Sequence, residues 1–305
     1  LKRNDYFNII VFNDGHSTYA DAPIQATSEE IEKAINAIRY LSANGGTNVF
    51  SALNYALSNQ SPDNERLRQV VFLTDGDVGN ESQLFDLVSK KLGKSRLFTV
   101  GIGSAPNSYF MEKIAEIGRG EHIFIGSVYE VAQRMRELFT KIENPAITNL
   151  KIIFPNNEDV EYYPKILPDV YNGSPFEVSI RSNKEIQSGF LTGKIGGQHW
   201  EIRMPFSVAG GNLGVAKLWA RSKISALEIE KFTQSNEGDV KKIIDQDLLA
   251  TALEYQIMSR LSSLVAVAVT PDRSLSSRLF SKYVALNLPD GWDPRFFKLG
   301  EDETR

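Results

Sequence analysis

Two short segments of this chain carry oxygen donors where a ligand could use them. Thr74-Asp75-Gly76 follows the apolar run Gln69 to Leu73, which reads as a buried parallel strand, so Asp75 stands at a strand tip. Gly45-Gly46-Thr47 opens a helix, and its glycines let backbone approach closely. In open α/β sheets, ligands bind at the carboxyl ends of the strands. A carboxylate beside a hydroxyl is hard-oxygen chemistry suited to Mg²⁺ or Mn²⁺. The same residues also have a plain structural reading, Asp75 as a turn residue and Thr47 as a helix cap. Residue types alone leave both open.

Other chemistry is poorly represented. His16, His122 and His199 are far apart in sequence and read as surface or strand histidines. No Gly-x-Ser-x-Gly, His-Glu-x-x-His or phosphate-loop pattern occurs. Gly101-Ile102-Gly103 lacks a third glycine and comes too late in the sheet for a dinucleotide site. Asp77 reads as a loop carboxylate, Glu81 as a helix starter acting through the dipole, and Trp200 and Trp219 as core of a β region. The absence of cysteine excludes disulfides, thiolate metal sites and a cysteine nucleophile. A net charge of -4 with no basic stripe argues against nucleic acid. No apolar run approaches the roughly 20 residues of a membrane-spanning helix.

The elements that position these residues alternate strand and helix. Tyr6 to Phe12 reads as a strand ending in the turn Asn13-Asp14-Gly15, with Ser17 to Ala22 as its return. Thr27 and Glu30 have capping-box spacing, and Ile31, Ala34, Ile35, Ile38 and Leu41 recur at helical spacing after them. Helices are expected near 48–58, 81–92, 108–117 and 131–142, and strands at 69–74, 96–102 and 121–125. That alternation implies βαβ units and a mostly parallel sheet, which should hold 6–12, 69–74 and 96–102 together. Asn144-Pro145 breaks the pattern. The signal from Thr148 to about Ala220 is antiparallel β, with helices read at 219–230 and 240–259 and a strand at 264–269.

Four landmarks in order carry a family resemblance: Phe7 to Phe12, Gly45-Gly46-Thr47-Asn48, Val70 to Gly76, and Phe98-Thr99-Val100-Gly101-Ile102-Gly103. They resemble consecutive segments of a von Willebrand factor A domain, in the variant of inter-alpha-trypsin inhibitor heavy chains and their bacterial envelope relatives. Leu150-Lys151-Ile152, Tyr162-Tyr163-Pro164, Lys217 to Arg221 and Ser263 to Val267 resemble segments that lie beyond the A domain in that family. The resemblance implies a Rossmann-like α/β fold and a metal-ion-dependent adhesion site fed by three loops. Thr47 matches the second loop and Asp75 the third. The first, D-x-S-x-S, should precede Tyr6 by a helix, so the first strand is expected to be missing and metal binding by this chain alone to be poor. In the complete domain, Mg²⁺ or Mn²⁺ would take a carboxylate from a protein partner.

The resulting expectation is a partial A domain at 1–143, a β-rich region with two helices at 144–285, and a tail at 286–305. The function expected is adhesion or protein binding without enzymatic activity, in an extracytoplasmic setting such as a cell envelope. A structural scaffold without functional metal and a metal-assisted hydrolase are the alternatives. Asp272-Arg273-Ser274-Leu275-Ser276 spells D-x-S-x-S but is expected to be a decoy, because Thr270 and Pro271 separate it from the preceding strand. The missing strand is expected to lie between those ending at Phe12 and Thr74, leaving two open edges.

Overall fold

The computed structural model describes residues 1–263 except 43–44, 59–65, 77, 104–105, 144–145, 156–159, 172, 174, 176, 207–212 and 234–237. The strand expected at 264–269, the Asp272 segment, the tail beyond 285 and Asp77 lie outside the described residues. Residues 1–263 form one compact unit.

The strand expected over 6–12 is broken into β1 (Tyr6–Phe7) and β2 (Ile10–Phe12). Asn8 is the cause. Its side-chain oxygen accepts from the backbone of Ile9 and Ala20, at 2.8 and 3.1 Å, and its amide donates to Ala20 O at 2.7 Å. A side chain that competes for backbone partners in this way interrupts a ladder. β2 turns through Asn13-Asp14-Gly15 into β3 (His16–Thr18), its antiparallel partner, while β1 pairs with β4 (Ile24–Gln25).

Thr27 then caps α1 (Ser28–Arg39), its hydroxyl accepting from Glu30 N at 3.2 Å. The apolar stripe of α1 buries only Ala34, whereas Ile35, Ile38 and Leu41 are about half exposed. α2 (Val49–Ser58) inserts Val49, Leu53 and Leu57 into the core.

β5 (Gln69–Thr74), α3 (Glu81–Lys91), β6 (Arg96–Ile102), α4 (Ser108–Ile117), β7 (Arg119–Ile125) and α5 (Val131–Ile142) come next. The three strands are parallel, in the order β5-β6-β7. Phe72 and Leu97 pack beneath Phe85, Val88, Phe110 and Ile114 of α3 and α4. Phe98, Val100 and Ile125 pack with Leu138 of α5 on the other face. Helices cover both faces, which explains why β6 is apolar nearly throughout.

The expected single sheet is not observed. Among the described residues, β2 pairs with β3 alone and shares no sheet with β5 and β6. The rings of Phe12 and Phe72 are 5.7 Å apart, so apolar contact spans a gap that no backbone ladder bridges. The split falls between the two strands that the resemblance places on either side of a further strand. Among the described residues, β2 satisfies its backbone groups through the β3 hairpin.

The chain continues with β8 (Ile147–Ile153), β9 (Val160–Tyr163), β10 (Ser179–Ser182), β11 (Ser188–Ile195) and β12 (Gln198–Pro205). β9 and β10 form an antiparallel pair, and β12-β11-β8 an antiparallel sheet over Leu150, Leu167 and Leu191. Gly196 and Gly197, both at positive φ, make the tight turn between β11 and β12. Finally α6 (Leu213–Thr233) and α7 (Gly238–Glu254) pair through Ile224, Leu227, Ile244 and Leu248. α6 starts earlier than its expected beginning at Trp219. Its far end joins the α3–α4 core through Ile229 and through Phe232, whose ring stacks on Phe85 at 4.6 Å. Trp219 is buried, but on α6 and between Tyr163 and Tyr255 rather than on a strand.

Candidate partner-binding site

The two segments with oxygen donors meet at the carboxyl end of β5. Thr74 closes that strand, and its hydroxyl accepts from Gly76 N at 3.3 Å, shaping the turn that exposes Asp75. Thr47 is exposed just ahead of α2. A Cβ placed on Gly76 would lie 3.7 Å from Thr47 Oγ1, so the two loops touch. Asn48 caps α2, its side-chain oxygen accepting from Ser51 N at 3.3 Å. Thr47 therefore is not the side chain that caps the helix, and its hydroxyl remains on the surface.

Asp14, which the sequence marks only as a turn residue, enters the same place. Its Oδ1 accepts from Gly46 N at 2.8 Å, and its backbone oxygen accepts from the Asn48 side chain at 3.1 Å. Asn48 N donates to Asn13 O at 2.6 Å. The β2–β3 turn is thus strapped to the loop that presents Thr47. The glycines leave room for the Asp14 carboxylate, which a Cβ on Gly45 or Gly46 would approach to 2.7 Å, and Gly45 sits at φ +86°, where a side chain is strained.

Beside this strap lies an open cleft of about 380 Å³ lined by Asp14, Thr47, Asn48, Val49, Phe50, Gly79 and Asn80. Asp75 is not part of the lining; its neighbour Gly76 lies beside Thr47, which is. Asn80 is left-handed (φ 60°) and precedes α3 without a side-chain capping bond. Both α2 and α3 therefore begin at the cleft. Glu81 opens α3, as its dipole role requires, and its carboxylate also accepts from the Asn107 side chain at 2.5 Å.

The three histidines fall on β3, β7 and β12 and are not brought together. His122 is the one with a defined buried environment. Thr99 Oγ1 lies 2.8 Å from Met111 O, to which it donates, and 3.0 Å from His122 Nδ1. The hydroxyl proton is committed to Met111, so Nδ1 must carry the ring proton. Nε2 is buried without a partner among the described residues, and burial holds the His122 pKa below its ordinary value. Among the described residues, no group of three or more His, Cys, Asp or Glu side chains could hold a metal ion.

The comparisons agree with this architecture. Residues 1–124 match the model of the von Willebrand factor type A domain. A von Willebrand factor A domain-containing protein of Dictyostelium discoideum is 27% identical over 186 residues, 61% of this chain and 20% of that protein. Inter-alpha-trypsin inhibitor heavy chain H4 of Homo sapiens is 25% identical over 308 residues, 92% of this chain. Heavy chain H3 of Mesocricetus auratus is 22% identical over 292 residues, 87% of this chain. The chain spans 33% of the length of each of these two heavy chains. A solved von Willebrand factor type A structure from Catenulispora acidiphila superposes with a TM-score of 0.54 at 16% identity, over 84% of this chain and 72% of that one, which establishes the fold. With its βαβ units and parallel strands, this chain has the fold of a von Willebrand factor type A domain, matches that domain over residues 1–124, and is similar over most of its length to the inter-alpha-trypsin inhibitor heavy chains.

Proposed function

We propose that this chain is a protein-binding module without enzymatic activity, and that the cleft at Asp14, Thr47 and Asn80 is its contact surface. In our reading that surface belongs to residues 1–143, the partial A domain. Von Willebrand factor A domains commonly mediate protein interactions, and the relatives of this chain are generally non-enzymatic binding modules.

The observation that carries the reading is the convergence of two helix starts on one open cleft. The partial positive charge at a helix N-terminus favours an anion, and two of them suit a carboxylate from a protein partner. Asn80 and the Thr47 hydroxyl offer it hydrogen bonds, and Phe50, 39% exposed, offers apolar contact.

Such domains typically bind a divalent cation at an adhesion site, with Thr47 and Asp75 as this chain's contribution. The donors present do not fit that ion by themselves. Mg²⁺ wants about six oxygen ligands in near-octahedral array. Among the described residues there are one hydroxyl and one carboxylate on neighbouring loops, and a second carboxylate, Asp14, already engaged by Gly46 N. The chain's own contribution is therefore shape and helix-terminus electrostatics.

An extracytoplasmic setting fits the resemblance to the heavy chains. No helix among the described residues is long and apolar enough to cross a membrane. The buried tie between Arg96 and Asp169 favours a second reading, in which the α/β part is a scaffold. Titration with peptides ending in Asp or Glu, with and without EDTA, separates the two. Binding that Asn80→Ala and Thr47→Ala weaken supports the module. No binding of any acidic peptide leaves the scaffold. Loss of binding in EDTA alone would restore the cation.

A further inference from the structure

We infer that β12 is a self-complementary edge, built to pair antiparallel with β12 of a second copy of this chain about a twofold axis at Ile202.

The ladder to β11 settles which way each residue faces. Ile195 opposes Gln198 across the two-residue glycine turn, the pairs run on to Ser188 and Pro205, and Phe206 N donates to Gln187 O at 3.0 Å. Antiparallel pairs alternate between hydrogen-bonded and non-bonded. The even-numbered residues of β12 therefore spend their N–H and C=O groups on β11, and His199, Glu201 and Arg203 direct theirs to the outer edge. Pro205 falls on an outward position, where its missing N–H costs the existing sheet nothing. Among the described residues no strand pairs with that outer edge.

The side chains on this edge match themselves. Trp200 and Met204 pack toward the Leu150–Leu191 core, yet Ile202 between them is 49% exposed. Glu201 and Arg203 are adjacent on the opposite face, with opposite charges, and both are exposed. An antiparallel partner centred on Ile202 sets Glu201 opposite Arg203 of the second copy and Arg203 opposite its Glu201. It also sets Trp200 opposite Met204 and covers Ile202 with Ile202. The Glu201–Arg203 pairs are then the hydrogen-bonded ones, because both residues point their backbone groups outward. A register centred on Glu201 would instead oppose like charges, which is unfavourable. Existing contacts leave the match free: Glu201 is only loosely paired with His199 at 3.9 Å, and Arg203 uses Nη2 on Ser188 at 3.2 Å.

Addition of one strand buries little area, so the dimer is expected to be weak and concentration-dependent. The test is sedimentation equilibrium of the 305-residue chain across a concentration series, for the parent, Glu201→Arg, Arg203→Glu and the double exchange. Each single change opposes like charges twice in the dimer and should weaken association roughly tenfold or more. The double exchange restores opposite charges and should recover parent association. Circular dichroism of each variant checks that the fold is kept. A chain monomeric up to its solubility limit overturns the proposal. Association indifferent to both single changes, or not rescued by the double exchange, overturns it as well.

Discussion

Arg96 and Asp169 form a buried two-pronged ion pair, 73 residues apart in sequence. Arg96 Nε and Nη2 both donate to the carboxylate, the second at 3.0 Å, and the side chains are 3% and 1% exposed. Arg96 begins β6, and Asp169 immediately precedes Val170, which bridges to Ile147 at the start of β8. Arg96 Nη1 also donates to the carbonyls of Lys94 and Ser95, at 2.9 and 3.1 Å, which further fixes the guanidinium. Burial pushes the Asp169 carboxyl up, and the guanidinium opposes that rise.

Removing one partner of such a pair leaves the other as an uncompensated buried charge. Asp169→Ala is expected to cost about 3–5 kcal/mol in urea unfolding, whereas Arg96→Met with Asp169→Leu should recover most of that loss. A cost under about 1 kcal/mol for the single change would mean that the pair is solvated in solution.

His122 should make the fold acid-sensitive. Its folded pKa lies below the unfolded value of about 6.5, so below that pH the unfolded chain binds the proton that the folded ring resists. Stability contributed by neutral His122 is fully present above about pH 6.5 and declines as pH falls toward the folded pKa, by at most about 1.4 kcal/mol per pH unit. His122→Gln should flatten that part of the profile in chemical unfolding between about pH 5 and 7. An unchanged slope would assign the acid sensitivity elsewhere.

The strap between Asp14 and Gly46 should matter more for binding than for folding. Its hydrogen bond is exposed, so Asp14→Ala is expected to cost only about 0.5–1.5 kcal/mol of stability while loosening the loop that presents Thr47. Gly45→Ala should cost more, at least about 1 kcal/mol, because it meets both a left-handed φ and the Asp14 carboxylate. Amide exchange at residues 46–48 should rise in Asp14→Ala. Unchanged protection there would show that the backbone bond from Asn48 N to Asn13 O holds the loop alone.

Calorimetric titration with Mg²⁺ at submillimolar concentration should show no binding heat, since the described donors fall short of the ion's preferred set. Saturable binding that Asp75→Ala and Thr47→Ala abolish would show that further oxygens complete the site.

Much of the architecture is legible in the sequence because the physics that sets it is local. Arg96–Ile102 stands out as an apolar run because both its faces are covered, and Gln69–Thr74 does so although Leu73 near its end is exposed. Thr27 and Glu30 announce the start of α1, and the stripe Val131, Met135, Leu138 announces α5. Residues nearby in sequence decide a cap, a turn or a periodicity, so their types suffice. The early start of α6 at Leu213 is hidden because a Gly-rich stretch precedes it and its first turn includes Gly214, a poor helix former.

Sequence by itself determined the α/β alternation, the change of pattern near residue 144 and the two loops bearing Thr47 and Asp75. Tertiary structure alone decided that Asn8 breaks the first strand by bonding to Ala20, that β2 stays out of the β5-β6-β7 sheet, and that Asp14 closes on Gly46. It likewise decided that Arg96 meets Asp169 and that Phe232 reaches Phe85. The physical reason is the same in each case. A strand's partner, a carboxylate's donor and a buried charge's counterion come from distant segments, and which segments meet depends on how the whole chain satisfies its backbone groups and buries its apolar faces.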